Sequence, residues 1–153
     1  MTANAGEDQA TGDAASALAR VPLFAGLDGT SIAALDAFAF QRTFAPGEVI
    51  VEEGHTGNGL FVVLEGHVEV IKGIGTDRAQ HLATLGPGEP FGEIALLGEW
   101  KRSASVRAVE ETRCLGMDRW VFLAHLRREP ELALRVIQFL AQRLVETDER
   151  LQR

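Results

Sequence analysis

The stretch FGEIALLGEWKRSASVRA, residues 91–108, carries the most information about the fold of this chain. Gly92 and Glu93 precede four apolar residues, and a polar loop then leads to Arg102. From Ala104 to Ala108 apolar and polar residues alternate, which predicts a half-buried strand. A glycine-opened turn has unpaired backbone N–H groups that receive anions, and a guanidinium offers a planar fork of donors to phosphate. The stretch therefore predicts an anion site between a turn and a strand.

Short segments of strand-like alternation lie on both sides of this stretch. Glycine-containing turns separate them, for example Pro46-Gly47 and Gly86-Pro87-Gly88. Short strands at fairly regular spacing with such turns predict a mainly β fold, an antiparallel β-roll or jelly roll. The predicted strands are residues 40–44, 49–51, 60–64, 68–70, 82–85, 104–108 and 112–117.

Helices are predicted on both flanks of the strands. The first is predicted within residues 21–40, is capped by Thr30 or Ser31, and presents an apolar stripe that includes Ile32 and Leu35. A second begins after the capping residue Asp118. Its predicted apolar positions are Trp120, Val121, Leu123 and Leu126.

The last predicted helix starts with Pro130 in its first turn and spans about residues 130–153. Ile137, Leu144 and Leu151 recur every seven residues, and Ala133, Leu140 and Thr147 form a second line. One interpretation is a helix packed on its own barrel. The other, which we favour, is a two-stranded coiled coil that forms a homodimer.

The composition limits the class of protein. At 153 residues we expect one domain over residues 20–153, preceded by a disordered or flexible tail at residues 1–19. The net charge of -7 argues against a nucleic-acid partner. We find no signal peptide and no apolar run long enough to span a membrane. The single cysteine and the scattered histidines indicate no metal site. No hydrolase motif is present, so we expect no enzyme.

The charges of the opening stretch suggest a more specific ligand. Glu93 cannot bind a phosphate, because like charges repel, but a carboxylate accepts hydrogen bonds from ribose hydroxyls. A phosphate, a sugar and a fork of donors together describe a nucleotide. The alternative is a surface ion pair between Glu93 and Arg102, worth about 0–1 kcal/mol.

The whole stretch resembles the phosphate-binding cassette of the cyclic nucleotide-binding domain family. That pattern reads F-G-E-[LI]-A-L, a variable loop, and R-x-A-x-V-x-A, and residues 91–96 and 102–108 match it. The resemblance implies a β-roll flanked by helices that binds cAMP or cGMP. It implies that Glu93 accepts from the ribose 2'-hydroxyl and that Arg102 binds the cyclic phosphate. It also implies backbone contacts from Gly92, Ile94, Ala95, Ser103 and Ala104.

Two hydroxyl residues match positions that contact the ligand in this family, although Ser103 alone does not choose the base. The Ser103 hydroxyl resembles a serine that touches the phosphate in the bacterial transcription-factor branch, although it can equally be a strand serine satisfied by water. RLVETDER, residues 143–150, resembles the dimer helix of the catabolite-activator branch, in which a Thr-Ser pair reaches adenine. Thr147 falls on the threonine, and Asp148 replaces the serine. This resemblance favours cAMP over cGMP.

We therefore expect a cytoplasmic, non-enzymatic sensor that needs no cofactor, in which ligand binding moves the C-terminal helices. The downstream protein partner is not specified by the sequence. If the chain is complete, it is a stand-alone sensor. Two alternatives stay open: an interaction or dimerisation module that binds no cyclic nucleotide, and the sensor half of a transcription regulator without its DNA-binding domain.

Overall fold

The structure, a computed structural model, describes residues 18–56, 59–92 and 101–151. A 3-10 turn (Pro22–Phe24) and helix α1 (Gly29–Ala37) precede the strands, and helices α2 (Arg119–Arg128) and α3 (Pro130–Leu151) follow them. The strands are β1 (Phe40–Phe44), β2 (Val49–Val51), β3 (Gly59–Glu65), β4 (Val68–Lys72), β5 (Gln80–Leu85), β6 (Pro90–Phe91), β7 (Ser105–Ala108) and β8 (Thr112–Asp118).

These strands form two four-stranded sheets. The first has the order β1-β8-β3-β6 and the second the order β2-β7-β4-β5, and the neighbouring strands are antiparallel. The connections between the sheets wind the chain into a roll. The predicted fold class, an antiparallel β-roll with an N-terminal helix and C-terminal helices, is confirmed.

The first sheet lies between two apolar cores, and the side chains of its central strands point alternately into one core and the other. In β8, Leu115 and Met117 join the core shared with the helices, whereas Cys114 joins the core shared with the second sheet. In β3, Leu60 and Val63 divide in the same way. Successive side chains of a strand point to opposite faces. A strand whose two faces are both covered therefore carries apolar residues at consecutive positions, where a half-exposed strand would alternate apolar and polar residues.

The helix starts show one correct and one incorrect prediction. Asp118 caps α2 as predicted, since its carboxylate accepts from the backbone N–H of Trp120 at 2.8 Å. The cap of α1 is Asp28, whose carboxylate accepts from the N–H of Ser31 at 2.8 Å, and not Thr30 or Ser31. The helix begins one residue before Thr30, so both predicted caps already lie in its first turn.

The structure shows which apolar side chains of α2 face the core. Phe122, which the prediction omitted, is fully buried and packs edge-to-face on Phe24 with ring centroids 6.2 Å apart. Trp120, which the prediction included, is 66% exposed, and the guanidinium of Arg119 lies over its ring. Four apolar residues in the first half of this helix give two possible faces, and the packing of Phe122 on the 3-10 turn selects one.

Helix α3 has an inner and an outer apolar surface. Leu132 and Val136 are buried in the helix-side core. Ile137 and Leu144, from the predicted heptad line, are 61% and 64% exposed. The first 17 residues of the predicted tail lie outside the described residues, whereas Leu18 is fully buried in the same core.

Candidate ligand-binding site

The backbone of Arg102 is fixed by hydrogen bonds that do not involve its side chain. Its N–H donates to the carbonyl of His55 at 2.9 Å, and its carbonyl accepts from the N–H of Gly54 at 2.8 Å. Lys101 forms a β-bridge with Thr56. The turn after β2 therefore aligns the chain just before β7, which fixes the direction in which Arg102 leaves the backbone.

The guanidinium of Arg102 rests on two backbone carbonyls. Nη1 donates to the oxygen of Gly92 and Nη2 to the oxygen of Gly59, each at 3.1 Å. Within the described residues it makes no ion pair with a carboxylate. The side chain is half-buried, and this desolvation lowers the pKa of Arg102, although an arginine stays protonated at neutral pH.

Gly92 meets a strict steric requirement beside this guanidinium. Its φ is +83°, in the left-handed region that glycine adopts without strain. A Cβ at this position would lie 2.5 Å from Nη1 of Arg102 and 3.0 Å from the carbonyl oxygen of Gly59. Only a glycine lets the turn and the guanidinium come this close.

A polar network supports the chain that follows Arg102. The carbonyl of Ser103 accepts from Nζ of Lys72 at 2.8 Å. The buried hydroxyl of Ser105 accepts from the N–H of Glu53 at 3.0 Å, and the Glu53 carboxylate accepts from the N–H of Gly73 at 3.0 Å. The start of β7 is thus joined by hydrogen bonds to the turn after β2 on one side and to the end of β4 on the other.

A cavity of about 830 Å³ opens in front of Arg102. We call the side formed by the strands the strand wall; it contributes Val51, Val70, Leu82, Ala83, Thr84, Leu85 and Val106, together with Gly92, Lys101, Arg102, Ser103 and Ala104. We call the side formed by α3 the helix wall; it contributes Phe139, Gln142, Arg143, Glu146 and Thr147. The volume lies within the range of small-molecule sites, about 300–1,000 Å³.

This cavity brings together five of the eight residues predicted for the site: Gly92, Arg102, Ser103, Ala104 and Thr147. The other three, Glu93, Ile94 and Ala95, lie outside the described residues. Thr147 is far from the cassette in sequence, and only the packing of α3 over the roll brings it to the same cavity.

The sequence reasoning missed most of the helix wall and all of β5. Gln142, Arg143 and Glu146 line the cavity beside Thr147, at the spacing of one helix face. That spacing was visible around Thr147 and could have indicated them. Leu82 to Leu85 gave no local signal, because their place in the cavity depends on the pairing of β5 with β4.

Two kinds of feature are missing from residues 18–56, 59–92 and 101–151. No helix there is long and apolar enough to cross a membrane. No group of three or more His, Cys, Asp or Glu side chains in those same ranges could hold a metal ion. The polar groups that line the cavity include a guanidinium, hydroxyls, an amide and a carboxylate.

Comparisons with known proteins agree with this chemistry. The family described as "Cyclic nucleotide-binding domain" matches residues 41–129. The chain is 39% identical over 127 residues to the Cyclic AMP receptor protein of Thermus thermophilus, a match that covers 83% of this chain and 59% of that protein. It is 35% identical over 89 residues to cGMP-dependent protein kinase 2 of Rattus norvegicus, a match that covers 58% of this chain and 11% of that protein.

A solved structure shows the same fold. The Thermus thermophilus catabolite activator protein superposes with a TM-score of 0.77 at 39% identity, covering 86% of this chain and 62% of that one. The chain spans about three fifths of the length of the curated bacterial regulators that it matches.

Proposed function

This chain belongs to the cyclic nucleotide-binding domain family, and we propose that it is a sensor module that binds cAMP in preference to cGMP in the cavity between the strand wall and the helix wall. The observation that carries this proposal is the half-buried guanidinium of Arg102, which faces the cavity without a carboxylate partner among the described residues. A desolvated charge of this kind is best compensated by an anionic ligand.

The phosphate end of the ligand would lie at Arg102. Two of the five N–H donors of an arginine are used by the carbonyls of Gly92 and Gly59, which hold the plane of the group and leave donors for a phosphate. The backbone of Ser103 and Ala104 lies at the same end. We propose that the backbone of Ile94 and Ala95 completes this cradle, that the backbone of Gly92 contacts the ribose side, and that Glu93 accepts from the ribose 2'-hydroxyl.

The base of the nucleotide would lie against α3, and the hydroxyl of Thr147 favours adenine over guanine as that base. That hydroxyl donates its proton to the carbonyl of Arg143 at 2.9 Å. It then has only lone pairs to offer to a ligand. The exocyclic amino group of adenine can donate to such an acceptor, whereas the carbonyl oxygen of guanine at the same ring position would be repelled.

The coupling of ligand to output would run through the same helix. Phe139 of α3 both lines the cavity and packs against the helix-side core. A ligand that contacts one position of α3 better than another shifts the helix towards that position. The exposed Ile137 and Leu144 on its outer surface suit a homodimer. We therefore propose a non-enzymatic cytoplasmic module whose output is the position and pairing of α3.

Calorimetric titration of the protein with cAMP, and separately with cGMP, tests this function. We expect saturable binding of cAMP that Arg102→Ala weakens by about 2–5 kcal/mol, since the phosphate loses its main charged partner. This corresponds to roughly 30-fold to several thousand-fold in affinity. The control is Arg78→Ala, which removes an exposed arginine from a loop outside the cavity. Equal affinities for the two variants would remove Arg102 from the site, and no heat with either nucleotide would reject the sensor.

A further inference from the structure

Two side chains of the helix wall form a pair of their own. Gln142 and Glu146 lie one turn apart on α3, and both line the cavity. Nε2 of Gln142 donates to Oε1 of Glu146 at 3.3 Å. An ionised carboxylate can only accept hydrogen bonds, so this contact determines which end of the amide turns towards Glu146. The carbonyl Oε1 of Gln142 and the second N–H of its Nε2 take no part in the contact.

Together with Thr147, the pair offers a definite set of hydrogen-bonding groups. The Thr147 hydroxyl donates its hydrogen bond to the backbone carbonyl of Arg143, so it can only accept from a ligand. The Gln142 amide adds a second acceptor and one spare donor. The Watson–Crick edge of adenine carries an amino group with two donors and a ring nitrogen that accepts. The two sets match in number and in kind.

The orientation of an amide decides which purine it reads. A glutamine can pair with adenine by accepting from the amino group and donating to N1. It can pair with guanine only after a flip, donating to the carbonyl and accepting from the N1 proton. The contact with Glu146 opposes that flip, because a flipped amide would turn its oxygen towards a carboxylate. An amide held in one orientation can therefore discriminate between two ligands that a freely rotating one would accept alike.

We propose that Gln142 is a base-reading residue of this cavity, specific for the amino-and-ring-nitrogen edge of adenine, and that Glu146 is the positioning residue that holds the Gln142 amide in the reading orientation. This inference rests on the proposed function, since it names the group that selects the ligand of the same cavity. It assigns the selection to a neutral amide, with Thr147 as a second acceptor.

The test is the ratio of cAMP to cGMP affinity, measured by titration of the full chain and of two variants. Gln142→Ala should lower cAMP affinity by about 5- to 140-fold, the range of one bidentate base contact, with much less effect on cGMP. Glu146→Gln should keep most of the cAMP affinity and raise cGMP affinity, because its amide tolerates both orientations of Gln142. Gln142 is exposed and alanine favours helices, so the first variant should fold.

The same helix offers matched controls. Gln138 and Glu149 are exposed on α3 and do not line the cavity, so Gln138→Ala and Glu149→Gln should leave the ratio unchanged. Binding of cAMP with the same ratio in Gln142→Ala as in the wild type would overturn this inference and leave the proposed function standing. Preference of the wild type for cGMP would also overturn it. Failure of the wild type to bind either nucleotide would overturn the proposed function itself.

Discussion

The two walls of the cavity are built in different ways. The strand wall holds Arg102 by backbone hydrogen bonds on both sides of its peptide and by two carbonyls under its guanidinium, and Val51 and Val106 beside it are buried. The helix wall is one face of a single helix, where Gln142 and Thr147 are exposed. We infer that the part of the strand wall around Arg102 is formed before a ligand arrives, whereas the helix wall depends on where α3 lies. Recognition of the phosphate would be fixed, and recognition of the base would be adjustable.

The largest effect is expected where the helices are attached to the roll. Phe122→Ala removes a fully buried ring that packs on Phe24, and we expect a loss of about 3–5 kcal/mol in the free energy of unfolding. Urea denaturation measures it. The control is Trp120→Ala on the same helix, whose ring is 66% exposed and should cost far less. Similar losses for the two variants would mean that α2 is not anchored by Phe122.

A second substitution tests whether the strand wall is preformed. Gly92→Ala places a Cβ against the guanidinium of Arg102 in a backbone conformation that disfavours side chains. We expect about 1–2 kcal/mol of lost stability from the backbone and weaker cAMP binding from the displaced guanidinium.

Gly75→Ala is the matched control, because Gly75 has a φ of +78° and no atom within 4 Å of its Cβ position. It should show the same loss of stability on denaturation and unchanged affinity in titration. If Gly92→Ala bound cAMP as well as Gly75→Ala does, the geometry between Gly92 and Arg102 would not matter for the ligand.

A third experiment addresses the outer surface of the helix wall. Ile137 and Leu144 are exposed and seven residues apart, so we predict that they pair α3 with a second copy. Ile137→Asp combined with Leu144→Asp should shift sedimentation equilibrium towards the monomer by tenfold or more in dissociation constant, roughly 1.4 kcal/mol. The control, Leu134→Asp, alters an exposed leucine outside the heptad line. A wild-type chain that is monomeric at high concentration would reject the pairing.

The smallest effect is expected at Cys114, which lies in the apolar core behind the strand wall, together with Val51 and Val106. Its side chain is fully buried in β8, and this burial raises the pKa of the thiol to about 12. The thiolate is the reactive form, so the native protein should react with Ellman's reagent at pH 8 only as fast as it unfolds. Denatured protein provides the control. Rapid labelling in native buffer would show that the core behind the strand wall opens locally.

The comparison of the walls also explains what the sequence could predict. Seven of the eight strands, their glycine turns and the cap Asp118 follow from local patterns, whereas the two-residue β6 was not predicted. The cassette residues Arg102 to Ala104 are consecutive in the chain. Local information failed where packing decides between equivalent options. The predicted apolar positions of α2 include Trp120 and omit Phe122. Both residues are apolar, and only the packing of the helix shows which of the two faces the core.

The helix wall was the least predictable part of the site. Thr147 was identified only through a resemblance, whereas Gln142 and Glu146 are ordinary polar residues of an amphipathic helix. Their position in the cavity is set by Leu132 and Val136, which fix the rotation of α3 on the helix-side core. A polar residue on a helix therefore becomes a candidate ligand contact only when the opposite face of that helix is known to be buried.

The measurement that tests the central claim most directly is amide hydrogen exchange with and without saturating cAMP. If the strand wall is preformed and the helix wall responds, exchange should slow across the part of α3 that lines the cavity, from Phe139 to Thr147, and change little in β4 and β7, which belong to the strand wall. Slower exchange in the strands with no change in α3 would contradict the account, because the ligand would then be ordering the wall that we describe as fixed.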